Sequence, residues 1–325
     1  MPERRIRFAV VGLGAGRGCA RRISENPRAE LVAVADLNEE RAKPVAESLG
    51  VDSYADLDEV LERDDVDVVY LMTPNGIHAE QGIKCARAGK NVMITKPIAI
   101  TVEQVDELIA ECEKAGVKLL GQYSNRYNPS THMIKRAIDK GKFGKLILAN
   151  QSLKYFRPQR YYDGWHGTWA GGGGSTLTIP IHSVDLMQWW MGPVETVYGR
   201  MWTYARDMEA ENLSLSILTF KNGAVGNIVA TTTFPVNGPL RTEIHGDKGA
   251  VIYNVRGGGV VDLWVGEEEP MPDPDELPKS ADDDMIDWIL YDKYPMTDGR
   301  EARKVIQIIT AIYESARTGK VITLD

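Results

Sequence analysis

The first third of the chain alternates short apolar runs with longer segments whose apolar positions recur every three or four residues. The short runs are rich in β-branched residues and have the length of strands, whereas the longer segments have helical periodicity. Such alternation predicts parallel strands joined by right-handed crossovers, which is a doubly wound sheet. The predicted strands are residues 6–11, 31–35, 68–72, 91–94 and 117–120.

The pattern changes in the rest of the chain. Strand-like runs are separated there by turn sequences such as "KNG" and "GDKG", which predicts an antiparallel sheet. An amphipathic helix is predicted near residues 300–318, ending at Gly319. The acidic, proline-rich segment 266–284 is predicted to be a solvated loop. The predicted strands are residues 145–154, 194–204, 212–221, 223–234, 241–245 and 250–254.

Length and this change of pattern together predict two domains, because 325 residues exceed one ordinary core. We expect a doubly wound parallel α/β domain over residues 1–122. A second α/β domain with a large, mostly antiparallel sheet should follow over residues 123–325, with the C-terminal helix packing near the domain junction.

Composition narrows the class of function. A net charge of -8 and a pI near 5.3 argue against a nucleic-acid or membrane partner, so we expect a small-molecule substrate. The three cysteines lack metal or redox spacing, and no histidine, cysteine or carboxylate cluster has metal-ligand spacing, so no metal is predicted. The N-terminal residues lack a signal-peptide pattern, and we expect a cytoplasmic protein.

The first strand–helix turn, "VVGLGAGRGCA", is typical of a dinucleotide-binding loop. Gly12 allows the tight turn, Gly14 lets the backbone approach a pyrophosphate, and the following helix N-terminus attracts its charge. Asp36 ends the second strand, where a carboxylate accepts hydrogen bonds from ribose hydroxyls and repels a 2′-phosphate. NAD is therefore expected, while NADP remains open because Arg17 and Arg41 would pair with that phosphate. The predicted cofactor residues in this part of the chain are Gly12, Gly14, Ala15, Gly16, Arg17 and Asp36.

Two later strands end in residues suited to the same edge of the sheet. "TPNGIHAEQ" places Thr73, Pro74 and Asn75 in a turn there, with His78 close behind as a cofactor residue or simply a helix N-terminal residue. "ITKPIAI" places Lys96 directly after a strand, and Pro97 restricts its backbone to extended conformations. Oxidation of an alcohol needs a base for the hydroxyl proton, so Lys96 is a catalytic candidate, although an exposed lysine would also suit a strand end.

A second base candidate is His182 in "GGGSTLTIPIHSVDL". A helix starting near Pro180 would place His182 and Asp185 on one face, where the carboxylate orients or stabilises the imidazole. Thr178 lies four positions before His182; its hydroxyl forms hydrogen bonds but carries no charge. The alternative for His182 is an ordinary core or helix-start histidine.

Two further segments offer weaker candidates. In "GQYSNRYNP", Asn125 and Arg126 follow the sixth strand, and Arg126 either holds the cofactor or clamps the hinge between domains. In "YFRPQRYYDGWHGTWAGGGG", aromatic residues suit the apolar faces of a sugar, while arginine and histidine bind hydroxyls or carboxylates. A subunit interface explains the same residues equally well. The candidates in this segment are Arg157, Trp165 and His166, with Tyr161, Tyr162 and Trp169 beside them.

These motifs resemble the glucose-fructose oxidoreductase / inositol dehydrogenase / MocA family over nearly the whole chain. The resemblance rests on "VGLGAG", "TPNGIHAEQ", "NVMITKP", "GQYSNRYNP", "KGKFGKL", "GGGSTLTIPIHSVDL" and the C-terminal "DGREARKVIQIITAIYESARTGK" in the expected order. It implies an NAD(P)-binding Rossmann domain and a substrate-binding and oligomerisation domain. It also implies a homo-dimer or homo-tetramer, because the large sheet often forms a subunit interface.

The family's "EKP" and histidine motifs imply that Lys96 and His182 are catalytic, supported by Asp185 and Thr178. This chain has Thr95 in place of the usual glutamate and Thr178 where many relatives carry Asp or Asn. The resemblance implies cofactor contacts at Thr95, Lys96 and Arg126. It implies substrate contacts at Lys96, Asn125, Arg157, Trp165, His166, Thr178 and His182.

The expected function is NAD(P)-dependent hydride transfer to or from a secondary carbinol of a sugar, sugar derivative or cyclitol. One alternative is a redox-neutral glycoside-cleaving enzyme that retains NAD through turnover. The other is a non-catalytic nucleotide-binding sensor, a reading that the two threonine departures keep open.

Overall fold

The computed structural model describes residues 4–238, 240–255 and 259–325. The chain divides into two compact units. Unit 1 consists of Met1–Gln122 and Ser280–Ala302, and unit 2 of Tyr123–Lys279 and Arg303–Asp325. Unit 1 therefore includes a segment from late in the sequence. The functional roles expected of the two domains stay predictions.

Unit 1 contains a six-stranded, wholly parallel sheet in the order β3-β2-β1-β4-β5-β6. This confirms the doubly wound α/β class. The short polar strand β3 was not among the predicted strands, because "DSY" has no apolar run. The strands are β1 (Ile6–Val11), β2 (Ala29–Ala35), β3 (Asp52–Tyr54), β4 (Val68–Leu71), β5 (Asn91–Thr95) and β6 (Leu119–Gln122).

The sheet's central strands are buried on both faces by helices, as parallel strands require. All four residues of β4 are inaccessible to solvent. The helix after β5 begins as the sequence indicates, because the Thr101 hydroxyl accepts a hydrogen bond from the Gln104 amide at 3.3 Å. The helices are α1 (Gly16–Glu25), α2 (Glu39–Leu49), α3 (Leu57–Leu61), α4 (His78–Arg87) and α5 (Val102–Ala115).

The late segment of unit 1 corrects the prediction of a solvated acidic loop over residues 266–284. Its last residues start a helix, Ala281–Tyr291, which Ser280 caps. Asp282 is fully buried and accepts two hydrogen bonds from Arg22 of α1, at 2.6 and 3.0 Å. The prediction was wrong for residues 281–284, because a run of aspartates beside a cap suits a first helical turn and the partner arginine of Asp282 is distant in sequence.

Unit 2 contains an eight-stranded sheet in the order β13-β12-β11-β7-β10-β9-β8-β14. Its described pairs are antiparallel except β7 with β10, which confirms the mostly antiparallel class. Strands β13 and β14 were not predicted. The strands are β7 (Leu146–Lys154), β8 (Val194–Trp202), β9 (Leu213–Phe220), β10 (Val225–Thr231), β11 (Leu240–Gly246), β12 (Ala250–Asn254), β13 (Val260–Val265) and β14 (Ile322–Thr323).

Buried and exposed residues alternate along these strands, so the two faces of the sheet differ. Leu218, Phe220 and Ile228 point into the core of unit 2, where helices pack. On the opposite face, Ile217 is 57% exposed and Leu215 is 42% exposed. The remaining helices are α6 (Pro129–Asp139), α7 (Ser175–Thr178), α8 (Ile181–Met191), α9 (Ala281–Tyr291, in unit 1) and α10 (Gly299–Thr318).

Within the described part of the chain, no helix combines the length and the apolar character needed to cross a bilayer. Cys19, Cys85 and Cys112 are buried free thiols.

Candidate active site

The glycine turn between β1 and α1 is shaped by close packing at two of its glycines. Gly12 has φ +92°, and a Cβ there would lie 2.7 Å from the backbone of Met72. A Cβ on Gly16, the first residue of α1, would lie 3.0 Å from the Met72 side chain. Gly16 therefore provides the close approach of helix to sheet that a glycine in place of Arg17 would otherwise give.

Gly14, Ala15 and Arg17 present an open surface at the same turn. All three are exposed, and the nearest described atom to a Cβ on Gly14 would be an Arg41 nitrogen at 3.9 Å. The space beside Gly14 and the exposed start of α1 fit a pyrophosphate bound by backbone amides.

Asp36 closes this turn from the end of β2. It is buried, and its carboxylate accepts hydrogen bonds from the Leu13 amide at 2.7 Å and the Asn38 amide at 2.9 Å. Arg41 pairs with the same carboxylate at 3.1 Å. Because Asp36 offsets the charge of Arg41, the turn retains a carboxylate for ribose hydroxyls and presents less positive charge to a 2′-phosphate.

His78 connects the ends of β4 and β5. Its Nε2 lies 2.7 Å from the Thr73 carbonyl oxygen and its Nδ1 lies 2.7 Å from the Pro97 carbonyl oxygen. Burial lowers the pKa of His78, although both carbonyls favour the protonated ring. His78 therefore holds the turn of Thr73, Pro74 and Asn75 against the segment that carries Lys96.

Lys96 directly follows β5 at the carboxyl edge of the parallel sheet, the edge at which open α/β sheets bind ligands. Its side chain is partly exposed. Beside it, the Thr95 hydroxyl donates a hydrogen bond to the Gln122 side-chain oxygen at 3.3 Å, joining the ends of β5 and β6. Thr95 therefore ties the ends of these two strands together.

In unit 2, Asp185 and Arg126 form a buried ion pair. The Arg126 guanidinium donates to both carboxylate oxygens, at 2.7 and 2.9 Å, and both side chains are at most 2% exposed. The guanidinium also lies over the Trp189 ring at 4.7 Å. Two polar groups far apart in sequence thus fix the 3-10 turn Ser124–Tyr127, which contains Arg126, to α8, the helix that carries His182.

His182 lies in the first turn of α8 and packs edge-on against the buried Tyr123 ring, with centroids 6.1 Å apart. The sequence predicts that Asp185 orients this imidazole. The contacts described for the Asp185 carboxylate go to Arg126, and its effect on His182 stays a prediction.

Thr178 ends the short helix α7, four residues before His182. Its hydroxyl donates to the Gly174 carbonyl at 2.6 Å. The start of α7 is held by Glu211, whose carboxylate accepts hydrogen bonds from Ser175 Oγ at 2.5 Å and the Thr176 amide at 2.7 Å. Glu211 is buried, and burial raises its pKa.

Arg157, Tyr161, Trp165 and His166 form one cluster, which we call the Arg157 cluster. The Tyr161 ring lies 4.0 Å from the His166 ring, which stacks on Trp165 at 3.6 Å. The Arg157 guanidinium lies 5.3 Å from the Tyr161 ring. Arg157 and Thr178 both oppose the burial that raises the pKa of Tyr161, which places the cluster next to α7.

The structure thus brings the predicted residues together in two separate groups, one in each unit. The strand-end group contains the glycine turn, Asp36, the Thr73 turn, His78 and Lys96. The unit 2 group joins Thr178 to the Arg157 cluster, while Asn125 and Arg126 lie in their own turn beside α8. Sequence reasoning did not identify Glu211, which stands in no recognised motif, or Gln122, although Gln122 lies within "GQYSNRYNP".

The described residues contain no group of three or more histidine, cysteine or carboxylate side chains placed to hold a metal ion.

Comparison with known proteins agrees with this geometry. Residues 6–123 match the family model described as an oxidoreductase family with an NAD-binding Rossmann fold, and residues 131–252 match the GFO/IDH/MocA C-terminal domain. The chain belongs to the GFO/IDH/MocA oxidoreductase family.

Two relatives act on cyclitols. The chain is 30% identical to the myo-inositol 2-dehydrogenase of Thermotoga maritima, over 77% of this chain and 76% of that protein. It is 28% identical to the NAD(+)-dependent scyllo-inositol 2-dehydrogenase of Bacillus subtilis, over 77% of this chain and 74% of that protein.

A solved structure resembles the whole chain. The WlbA dehydrogenase of Bordetella pertussis, in complex with NADH and UDP-GlcNAcA, aligns with a TM-score of 0.92 and 35% identity. The alignment covers 100% of this chain and 99% of that one.

Proposed function

We propose that this protein is an NAD(P)-dependent dehydrogenase or reductase acting on a secondary hydroxyl or keto carbon of a sugar, sugar derivative or cyclitol. The observation that carries the proposal is Lys96 at the carboxyl edge of a sheet whose first turn fits a dinucleotide. Family membership and the dehydrogenase relatives support the same activity. Those comparisons give no support to a glycoside-cleaving enzyme or a non-catalytic sensor.

The strand-end group of unit 1 would hold the cofactor. Backbone amides beside Gly14 and the start of α1 would bind the pyrophosphate, and Asp36 would accept the ribose hydroxyls. When bound, the nicotinamide supplies the site that accepts or donates the hydride. NAD is the proposed cofactor because the Asp36 carboxylate offsets Arg41, although NADP use by a relative keeps it as a second candidate.

Lys96 and His182 would exchange the hydroxyl proton. In the oxidation direction, these two side chains would take up the hydroxyl proton as the carbinol carbon loses hydride. In reduction both transfers reverse. Thr95 and Thr178 add no negative charge, so this chemistry depends on the two bases themselves.

The Lys96 assignment is tested by replacing it with methionine. Methionine keeps an apolar stem but has no proton to exchange, so kcat should fall about 10²- to 10⁴-fold. The affinity for NAD should change little, because backbone groups bind most of the cofactor. Steady-state rates and cofactor titration by fluorescence measure both.

Lys114→Met provides the control, since Lys114 lies exposed on α5 and pairs only with Glu111 among the contacts described. Unchanged kcat in the Lys96 variant would contradict the catalytic role.

A substrate panel separates the classes of function. Net appearance of reduced-nicotinamide absorbance with sugars or cyclitols supports the dehydrogenase. Product release without net absorbance change supports the redox-neutral alternative, and cofactor binding without turnover supports a sensor.

We further propose that the protein forms a homo-dimer or homo-tetramer through the outer face of the eight-stranded sheet. Exposed apolar residues on adjacent strands, among them Leu215, Ile217 and Val225, support this. Light scattering tests it, and a monomeric mass at working concentration would refute it. We also propose a cytoplasmic location, with which the buried free thiols are compatible.

A further inference from the structure

Charge pairing distinguishes Arg157 and its neighbour Arg206 from several other arginines of the molecule. The chain has 46 acidic and 38 basic residues, so carboxylates are in excess. Arg22, Arg63 and Arg126 each bind a carboxylate within 2.7 Å. Among residues 4–238, 240–255 and 259–325, by contrast, no carboxylate lies within 4.0 Å of Arg157 or Arg206.

These two arginines are neighbours. Arg206 Nε donates to the Arg157 carbonyl oxygen at 2.9 Å, and its guanidinium lies over the Phe156 ring at 5.6 Å. Arg157 itself is only partly exposed, lies 5.1 Å from the Tyr155 ring, and donates through Nη1 to the Phe156 carbonyl at 2.9 Å. Arg157 is thus a partly desolvated cation whose described partners are rings and a carbonyl, without a described carboxylate at ion-pair distance.

The cluster is also continuous with the residues proposed for chemistry. Tyr161 lies beside Arg157, with the guanidinium 5.3 Å from its ring, and Thr178 influences the pKa of its hydroxyl. Burial raises the pKa of Tyr161, with Arg157 and Thr178 acting in the opposite direction, so the phenol remains a neutral hydrogen-bonding group. A ligand group at Arg157 would therefore lie beside Tyr161 and near the segment leading to His182.

We propose that Arg157 binds an oxyanion of the substrate, so that the enzyme prefers sugars bearing a carboxylate or a phosphate over neutral sugars or cyclitols. This inference rests on the proposed function. A guanidinium recognises both oxyanions through paired hydrogen bonds, and the stacked rings of Trp165, His166 and Tyr161 provide an adjoining surface for a sugar ring. Arg206 adds positive charge beside the same segment.

The test compares kcat/KM for neutral sugars with that for the matching uronic acids, sugar phosphates and nucleoside-diphosphate sugars, all with NAD or NADP. Wild-type enzyme should prefer an anionic member by roughly 10- to 100-fold, the range for a hydrogen bond to a charged group. Preference that follows the carboxylate identifies a uronate, and preference that follows phosphate identifies a phosphorylated or nucleotide-linked sugar.

Arg157→Gln should remove that preference, because kcat/KM for anionic sugars should fall by more than kcat/KM for neutral sugars. Arg157→Lys retains the charge without the planar fork and should give an intermediate preference. Arg160→Gln is the matched control, because Arg160 is an exposed arginine in the adjoining turn and should leave the preference intact. Thermal unfolding of each variant checks that the fold is retained.

Two results would overturn the inference: wild-type enzyme that favours neutral sugars, or Arg157→Gln enzyme with undiminished preference for anions. Either result is compatible with the proposed function, because reduced nicotinamide still forms in both cases. Absence of nicotinamide turnover with every substrate would instead count against the proposed function, and calorimetric titration with the anionic sugars would then test the Arg157 site by itself. Equal binding by wild-type and Arg157→Gln protein in that titration would overturn it.

Discussion

The predicted cofactor residues of unit 1 are held mainly by backbone groups at the ends of parallel strands. Asp36 binds two backbone amides, and His78 contacts two carbonyl oxygens. In unit 2, the predicted substrate segments are held by buried ionisable side chains, Asp185 with Arg126 and Glu211 with Ser175. Strand topology therefore positions the first group, whereas the second depends on individual charged side chains. Substitution should affect the two units differently.

The largest effect is expected when the buried ion pair is broken. Asp185→Asn leaves the Arg126 charge buried without its counterion, which should reduce the free energy of unfolding by about 3–5 kcal/mol. Urea unfolding followed by tryptophan fluorescence measures this.

Asp139→Asn is the control for that variant. It breaks the exposed helix pair of Asp139 with Lys135, which should cost less than about 1 kcal/mol. Equal costs for the two variants would mean that the pair is not a main support of unit 2.

An intermediate effect is expected from Asp36→Asn in unit 1. The amide retains the size of the side chain but loses the charge that accepts ribose hydroxyls, so NAD affinity should fall roughly 10- to 100-fold. Affinity for NADP should fall less, since repulsion of the 2′-phosphate is removed as well. Cofactor titrations of this variant and of Glu40→Gln, which changes an exposed acid on α2, give the two ratios.

Comparing the loss of NAD affinity with the loss of NADP affinity distinguishes a charge effect of Asp36 from loosening of the turn. Parallel losses of NAD and NADP affinity would show that Asp36 serves only to hold Leu13.

The smallest effect is a pH dependence from Glu211. Its pKa in the folded protein is raised by burial above the ordinary value of 4.5, so its contribution to stability is greatest below that pH and declines as pH rises through the folded-state pKa. Each unit of elevation corresponds to about 1.4 kcal/mol. Glu211→Gln cannot titrate, and wild-type protein should lose stability relative to this variant over that pH window.

Thermal unfolding between mildly acidic and neutral pH tests this, with Glu209→Gln as the exposed control. A constant difference between Glu211→Gln and wild type across the window would contradict the raised pKa.

The contrast between strand-end residues in unit 1 and paired charged side chains in unit 2 explains what the sequence could predict. Residues at strand ends meet at one edge of a parallel sheet, so the positions of Gly12, Asp36 and Lys96 follow from periodicity and motif spacing. Fold class follows for the same reason. The pairing of Arg126 with Asp185, or of Glu211 with α7, joins residues that are distant in sequence and have no shared periodicity.

Errors in the sequence predictions also arise where contacts join residues that are distant in sequence. Local charge predicted a solvated loop at Asp282, but the buried partner Arg22 lies near the other end of the chain. Strand β3 escaped prediction because sheet pairing stabilises a short polar segment that has little intrinsic preference. Strands β13 and β14 were missed although their residues favour strands.

The most direct measurement of the proposed activity uses a substrate sugar deuterated at the carbon to be oxidised. Mass spectrometry of the cofactor after turnover reports where that deuterium goes. Hydride transfer predicts that the deuterium appears on the reduced nicotinamide, and that Lys96→Met forms the same labelled product more slowly. Loss of the deuterium to water, with no label on the cofactor, would contradict the account.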